Sequence, residues 1–229
     1  MHQDADAKPP DEAVLVRLLL AMIVVTGAVD AVSVIQLGHV FVANMTGNVV
    51  FLGFAFARAK GFSVAASLVA LGGFLVGAAI VGRRFPSLGG AKRRELGQMA
   101  AAEAVLFAAA SAVAVTANGT AARYAITVLL AVAMGAQNAG ARRLAVPNLT
   151  STVLTQTLTG LAEDPWDFTS PDSQARRRLA AVAAIVVGAA LGALLVLRAS
   201  TAWALGATTG VLAAVAMAAL LPRHRIGPS

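Results

Sequence analysis

Long apolar runs alternate with short polar breaks along this chain. Runs of 18 or more mostly apolar residues fall at about 18–37, 63–82, 97–116, 124–141, 179–197 and 201–221. Each is long enough, as a helix, to cross a hydrocarbon core of roughly 30 Å. Two further apolar stretches, 40–57 and 146–162, have a different texture. The second holds Thr150, Ser151, Thr152, Thr155, Gln156, Thr157 and Thr159 in one short span, a face that lipid does not favour. Pro147 pushes its predecessor out of the α region and suits the first turn of a helix entered from an extended approach.

The cations decide between eight and six crossings, because cytoplasmic loops are enriched in Lys and Arg. With eight crossings and the N-terminus inside, ten of the 18 fall inside and eight outside, which is no asymmetry. With six, Lys8, Arg17, Arg83, Arg84, Lys92, Arg93, Arg94, Arg142, Arg143, Arg176, Arg177, Arg178, Arg223 and Arg225 are inside. Only Arg58, Lys60, Arg123 and Arg198 are then outside, a ratio of 14 to 4. The expected fold is therefore an all-α integral membrane protein with six transmembrane helices and two broken or re-entrant segments. Segment 40–57 dips in from outside, and 146–162 from inside.

The chain also repeats itself. Gly27-Ala28-Val29-Asp30-Ala31 precedes Val42-Ala43-Asn44-Met45-Thr46-Gly47-Asn48-Val49. About a hundred residues on, Gly135-Ala136-Gln137-Asn138-Ala139 precedes Val146-Pro147-Asn148-Leu149-Thr150-Ser151-Thr152-Val153. The halves 14–116 and 123–221 each read as helix, re-entrant segment, helix, helix. Three crossings per half make these inverted repeats of one transmembrane domain, 14–221, between a polar tail at 1–13 and a basic tail at 222–229. Polar residues in corresponding positions of two such halves are the usual pointer to a site at the repeat interface.

That pointer gives the candidate solute or ion path: Asp30, Asn44, Thr46, Asn48, Asn138, Asn148 and Thr150. Asp30 is the one ionisable residue inside the first crossing, and a carboxylate at bilayer depth costs about 2.5–3.5 kcal/mol on insertion scales. It is read either as a proton carrier or cation ligand, or as an acceptor for exposed N–H groups of segment 40–57. Asn138 occupies the matching place without charge. The asparagines either line a path or cap the half-helices, with Asn44 and Asn148, or the threonines two residues on, as caps. His39, nine residues after Asp30, is a candidate proton relay or an incidental interfacial histidine. Glu103, at the start of the run 97–116, is expected to snorkel to the inner face. Gly73-x-x-x-Gly77 and Gly188-x-x-x-Gly192 have the spacing that brings helix backbones together.

Composition narrows the partners. The chain is 58% hydrophobic and 13% charged, where soluble domains carry about a quarter charged residues. The net charge of +7 sits at the ends of apolar runs and not on an amphipathic face, so it reads as membrane topology and not as nucleic-acid binding. There is no cysteine, and the three histidines are scattered at 2, 39 and 224, so no metal set and no cofactor are expected. No hydrolase elbow, metalloprotease helix or phosphate-cradling loop is present. The acidic N-terminus lacks a cleavage site, and the first helix is expected to stay as a signal anchor.

Residues 27–33 and 37–48 resemble the signature of the YoaK-like family of bacterial polytopic membrane proteins, a domain of unknown function. Residues 135–154 and the glycine-rich 185–193 resemble its second half. The resemblance covers about 14–221 and implies a multi-pass protein of the bacterial inner membrane with both termini cytoplasmic; it supplies no activity. The expectation drawn from the residues is a small transporter or channel-like protein, not an enzyme, whose partners are the bilayer and a small solute or ion, with a homodimer compatible with its size. The competing readings are a lipid-directed enzyme using Asp30 and His39 as an acid/base pair, and a non-transporting assembly or regulatory protein.

Overall fold

The computed structural model describes residues 10–84, 92–144, 154–163 and 174–221. They form eight helices: α1 (Pro10–Gln36), α2 (Met45–Phe56), α3 (Val64–Arg84), α4 (Lys92–Thr116), α5 (Thr120–Leu144), α6 (Leu154–Glu163), α7 (Gln174–Arg198) and α8 (Thr201–Leu220). Six are long and apolar enough to cross a membrane. Helices α2, with 12 residues, and α6, with 10, are not: at 1.5 Å per residue α2 reaches about 18 Å, a little over half the hydrocarbon core.

Lipid as the outer solvent explains which residues are left outside. Leu75, Val105, Val186 and Trp203 are 62–71% exposed, a distribution that water would penalise and a bilayer does not. The inside is closely packed by small residues. Helices α1 and α7 lie together through Gly27, Gly188 and Gly192. An added Cβ at Gly188 would fall on the Val24 carbonyl, and one at Gly192 on that of Ala28. Helices α3 and α5 do the same through Gly77 against Val132 and Gly135 against Phe74. The small-residue spacing seen in the sequence is thus two interfaces in which backbone meets backbone, where dispersion replaces the hydrophobic effect as the driving force.

The directions of these pairs fix the number of crossings. Along α1 and α7, Val24 meets Gly188 and Ala28 meets Gly192, so the two run parallel. Gly73 meets Val128 and Gly77 meets Val132, so α3 and α5 are parallel too. Helices α4 and α8 are antiparallel, with Gly97 against Leu220 at one end and the Ser111 hydroxyl donating to the Ala202 carbonyl at 3.0 Å near the other. If α2 and α6 both crossed, α4 and α8 would be parallel. If one of them crossed, α1 and α7 would be antiparallel. Six crossings satisfy all three pairs.

Cations then collect on one face. Arg93 donates to the carbonyls of Ala218 and, at 3.1 Å, Leu221 at the end of α8, while Arg143 donates to Gly82 at the end of α3 at 2.7 Å. Each satisfies carbonyls that a helix C-terminus leaves open. Arg58, Lys60, Arg123 and Arg198 lie at the helix ends of the opposite face.

Candidate functional site

Helix α1 ends six residues after Asp30, and the chain reverses at Gly38 and His39, whose φ values of 97° and 56° are both left-handed. It then runs back alongside α1 as a non-helical limb, bent at Val42 and Ala43, before α2 begins. Such a limb has N–H groups with no helical or sheet partner, and at membrane depth each must find one. The Asp30 carboxylate supplies it: Oδ1 accepts from the Val42 N–H at 3.0 Å and the Ala43 N–H at 2.9 Å. Val42 and Ala43 are buried, and the Asp30 side chain is partly so. Asp30 Oδ2 accepts no hydrogen bond among the described residues.

Asn48 closes the same limb from the other side. Its Oδ1 accepts from the Phe41 N–H at 2.8 Å and its Nδ2 donates to the Phe41 carbonyl at 2.6 Å, a side chain pairing as a strand neighbour would. It is fully buried. Asn44 is the N-cap of α2, its Oδ1 accepting from Gly47 at 3.3 Å, as the motif predicts. Asn44 and Thr46 are both exposed. The Phe51 ring stacks on Phe41 at 5.4 Å and packs against Phe62 at 4.9 Å, tying limb and α2 to the entry of α3. The His39 ring rests against Phe62 at 5.9 Å.

One consequence is open to test. Asn48→Ala leaves both polar groups of Phe41 without a partner, and each buried group so orphaned costs roughly 1–3 kcal/mol. The variant should show fast amide exchange confined to residues 40–44 with the long helices still protected; unchanged exchange at Phe41 would contradict this role.

In the second half, Asn138 is buried and donates to the Met134 carbonyl at 2.9 Å. Asn148 and Thr150 lie outside the described residues, so the meeting of the two V-x-N-x-T stretches stays an expectation. Of α6, Thr157 is buried and Thr155 and Thr159 are exposed. The two motifs are joined instead through neighbouring residues: Gln137 Nε2 donates to Thr26 Oγ1 at 2.9 Å, a buried bond between α5 and α1. Gln137 Oε1 is buried and has no partner among the described residues, an open acceptor between α5 and α1.

Glu103 corrects an expectation. It does not snorkel: α4 starts at Lys92, five residues before the apolar run, so Glu103 is the twelfth residue of 25, and it is 2% exposed. Neither carboxylate oxygen has a hydrogen-bond partner among the described residues. It lines a cavity of about 880 Å³ between α3, α4 and α5, whose wall also includes Glu95, Gln98, Met99 and Arg143. The sequence carries a signal for this, an acid inside a run of alanines, but its depth depends on where the helix begins. Among the described residues no group of His, Cys, Asp and Glu could hold a metal ion.

Six long helices, a half-length helix whose preceding limb is held to α1 by an acid, and lipid-facing apolar surfaces define a polytopic α-helical membrane protein. The comparison with known proteins gives its family. The chain belongs to the family described as "Protein of unknown function (DUF1275)", whose model matches residues 18–218. It is also 34% identical over 151 residues to UPF0700 transmembrane protein YoaK of Bacillus subtilis (strain 168), a match covering 64% of this chain and 65% of that protein. The chain thus spans just under two thirds of that relative's length. No solved structure matches.

Proposed function

We propose that this is a small transporter or channel-like protein in which two inverted repeats, 14–116 and 123–221, move around a polar centre formed by Asp30, Thr26, Gln137 and Asn138. The pairing of helices carries this reading. Exchanging α1 with α5, α3 with α7 and α4 with α8 turns the α1–α7 contact into the α3–α5 contact and leaves the antiparallel α4–α8 contact unchanged. The same exchange turns the packing of α4 on α5 into that of α1 on α8, and α2 on α3 into α6 on α7. A two-fold axis in the membrane plane has this effect, and it favours two related conformations open to opposite sides. The basic face is cytoplasmic in this reading, with both termini there and the inner membrane of a bacterium as the setting.

Asp30 has two oxygens with different work. Oδ1 holds the re-entrant limb, and Oδ2 is available to a proton or cation. Asp30→Asn separates the two, because the amide oxygen still accepts from Val42 and Ala43 while the charge is gone. Purified protein in vesicles on a solid-supported membrane, challenged with H⁺, Na⁺ and K⁺ gradients, should give a current above that of empty vesicles, and Asp30→Asn should lower it about tenfold or more, the effect of losing roughly 1.4 kcal/mol of ion binding. Currents no larger than those of empty vesicles in all three gradients would count against coupled ion movement; equal currents in both proteins would remove Asp30 from it.

A further inference from the structure

The cavity between α3, α4 and α5 lies apart from the Asp30 limb and is used by nothing described so far. Its walls are mostly apolar, with Ile80, Val81, Leu106 and Val132 among them. Three charged residues line it: Glu95, Glu103 and Arg143. That leaves one negative charge in excess. Arg143 already donates to the Gly82 carbonyl at the basic end of α3, whereas Glu103 sits at mid-helix with both oxygens buried and, among the described residues, unpartnered. A buried carboxylate in such surroundings needs an opposite charge or a proton. The open volume, about 880 Å³, falls within the roughly 300–1,000 Å³ of small-molecule sites, which combine apolar walls with a few fixed polar groups.

We propose that this cavity binds an organic cation with an apolar body, and that Glu103 is its counter-ion. The apolar walls take the body of the ligand. The cationic centre goes to Glu103, the lining acid with both oxygens unpartnered among the described residues; Glu95, a little over two helical turns towards the basic end, leaves one oxygen, Oε1, open and adds to the negative field. Quaternary or protonated amines and phosphonium ions fit this chemistry, and an alkali ion does not, because the mostly apolar wall cannot replace its hydration shell.

The test uses the full chain in detergent and tetraphenylphosphonium as the probe, with binding read by equilibrium dialysis. Saturable binding is expected. Tetraphenylborate, of the same shape and opposite charge, should bind at least about tenfold more weakly, since a single charge pair in a protein interior is worth well over that factor. Glu103→Gln should lose about tenfold or more in affinity for the cation while melting at the same temperature or higher, because it removes a buried charge without changing shape. Ala102→Phe, which fills the cavity from an exposed position and leaves Glu103 in place, should weaken binding as well. Absence of saturable binding by folded protein, equal affinity for cation and anion, or an unchanged affinity in Glu103→Gln would each overturn the proposal. The last of these would mean that Glu103 carries a proton only. Displacement of the probe by phosphatidylethanolamine vesicles, but not by phosphatidylglycerol vesicles, identifies a lipid amine as occupant; failure of both to displace it identifies a soluble cation. Binding is measured without flux, so absence of transport leaves the site standing.

Discussion

Asp30→Ala should destabilise the protein by about 2–6 kcal/mol, because it strips the acceptor from two buried N–H groups at roughly 1–3 kcal/mol each. The lost partners are those of Val42 and Ala43, and neither has another acceptor among the described residues. Without them the limb leaves α1, and α2 loses the support that sets its N-terminal end. Asp30→Asn keeps an acceptor oxygen in the same place and should cost much less. Unfolding of the purified protein in mixed micelles, followed by helical signal against denaturing-detergent fraction, measures both. Equal losses for Ala and Asn would mean that the charge, and not the acceptor geometry, holds the limb. Combined with ion currents, the pair of variants assigns the two Asp30 oxygens separately.

The second large effect is expected at the glycine contacts. In Gly77→Ala and Gly188→Ala the new methyl falls on a backbone carbonyl, that of Val132 or Val24, and no side-chain rotation relieves it. The helices must separate, at roughly 1–3 kcal/mol for overpacking of this kind, and the loss of contact runs along the whole parallel pair. Gly72→Ala and Gly82→Ala are the controls: a Cβ at either meets nothing within 4 Å. These should be neutral or stabilising by up to about 1 kcal/mol, the helix preference of alanine over glycine. The same micelle titration distinguishes the classes. Indifference of Gly77 and Gly188 to alanine would show that the α1–α7 and α3–α5 contacts are looser than described.

Both effects rest on residues that the sequence singled out, for different reasons. Asp30 stands out as an acid inside an apolar run, and its role as acceptor for N–H groups of segment 40–57 is one of the two readings the sequence leaves open; which oxygen meets which N–H needs the limb folded back on α1. Asn44 as N-cap was legible because capping is local, a side chain bonding the backbone three residues on. Asn48 was legible only as a polar residue of the motif. Its pairing with Phe41 across seven residues depends on the turn at Gly38 and His39. The depth of Glu103 is not legible in the sequence because an apolar window marks the lipid-facing part of a helix and not its first turns, where Lys92, Arg93 and Arg94 belong to α4. The Thr26–Gln137 bond joins residues 111 apart and left no pattern to read.

The sequence by itself determined the solvent, the number of crossings and the segments that do not cross. Apolar length and the uneven distribution of cations are each set by the cost of moving groups between water and lipid, which is a property of the residues and hardly of their neighbours. The tertiary structure alone decided which helices touch, that α1 and α7 run parallel while α4 and α8 do not, and that an acid unpartnered among the described residues lines an open cavity. Those features arise from packing between residues far apart in the chain, where backbone approach and an unfilled hydrogen bond depend on geometry that no local pattern encodes.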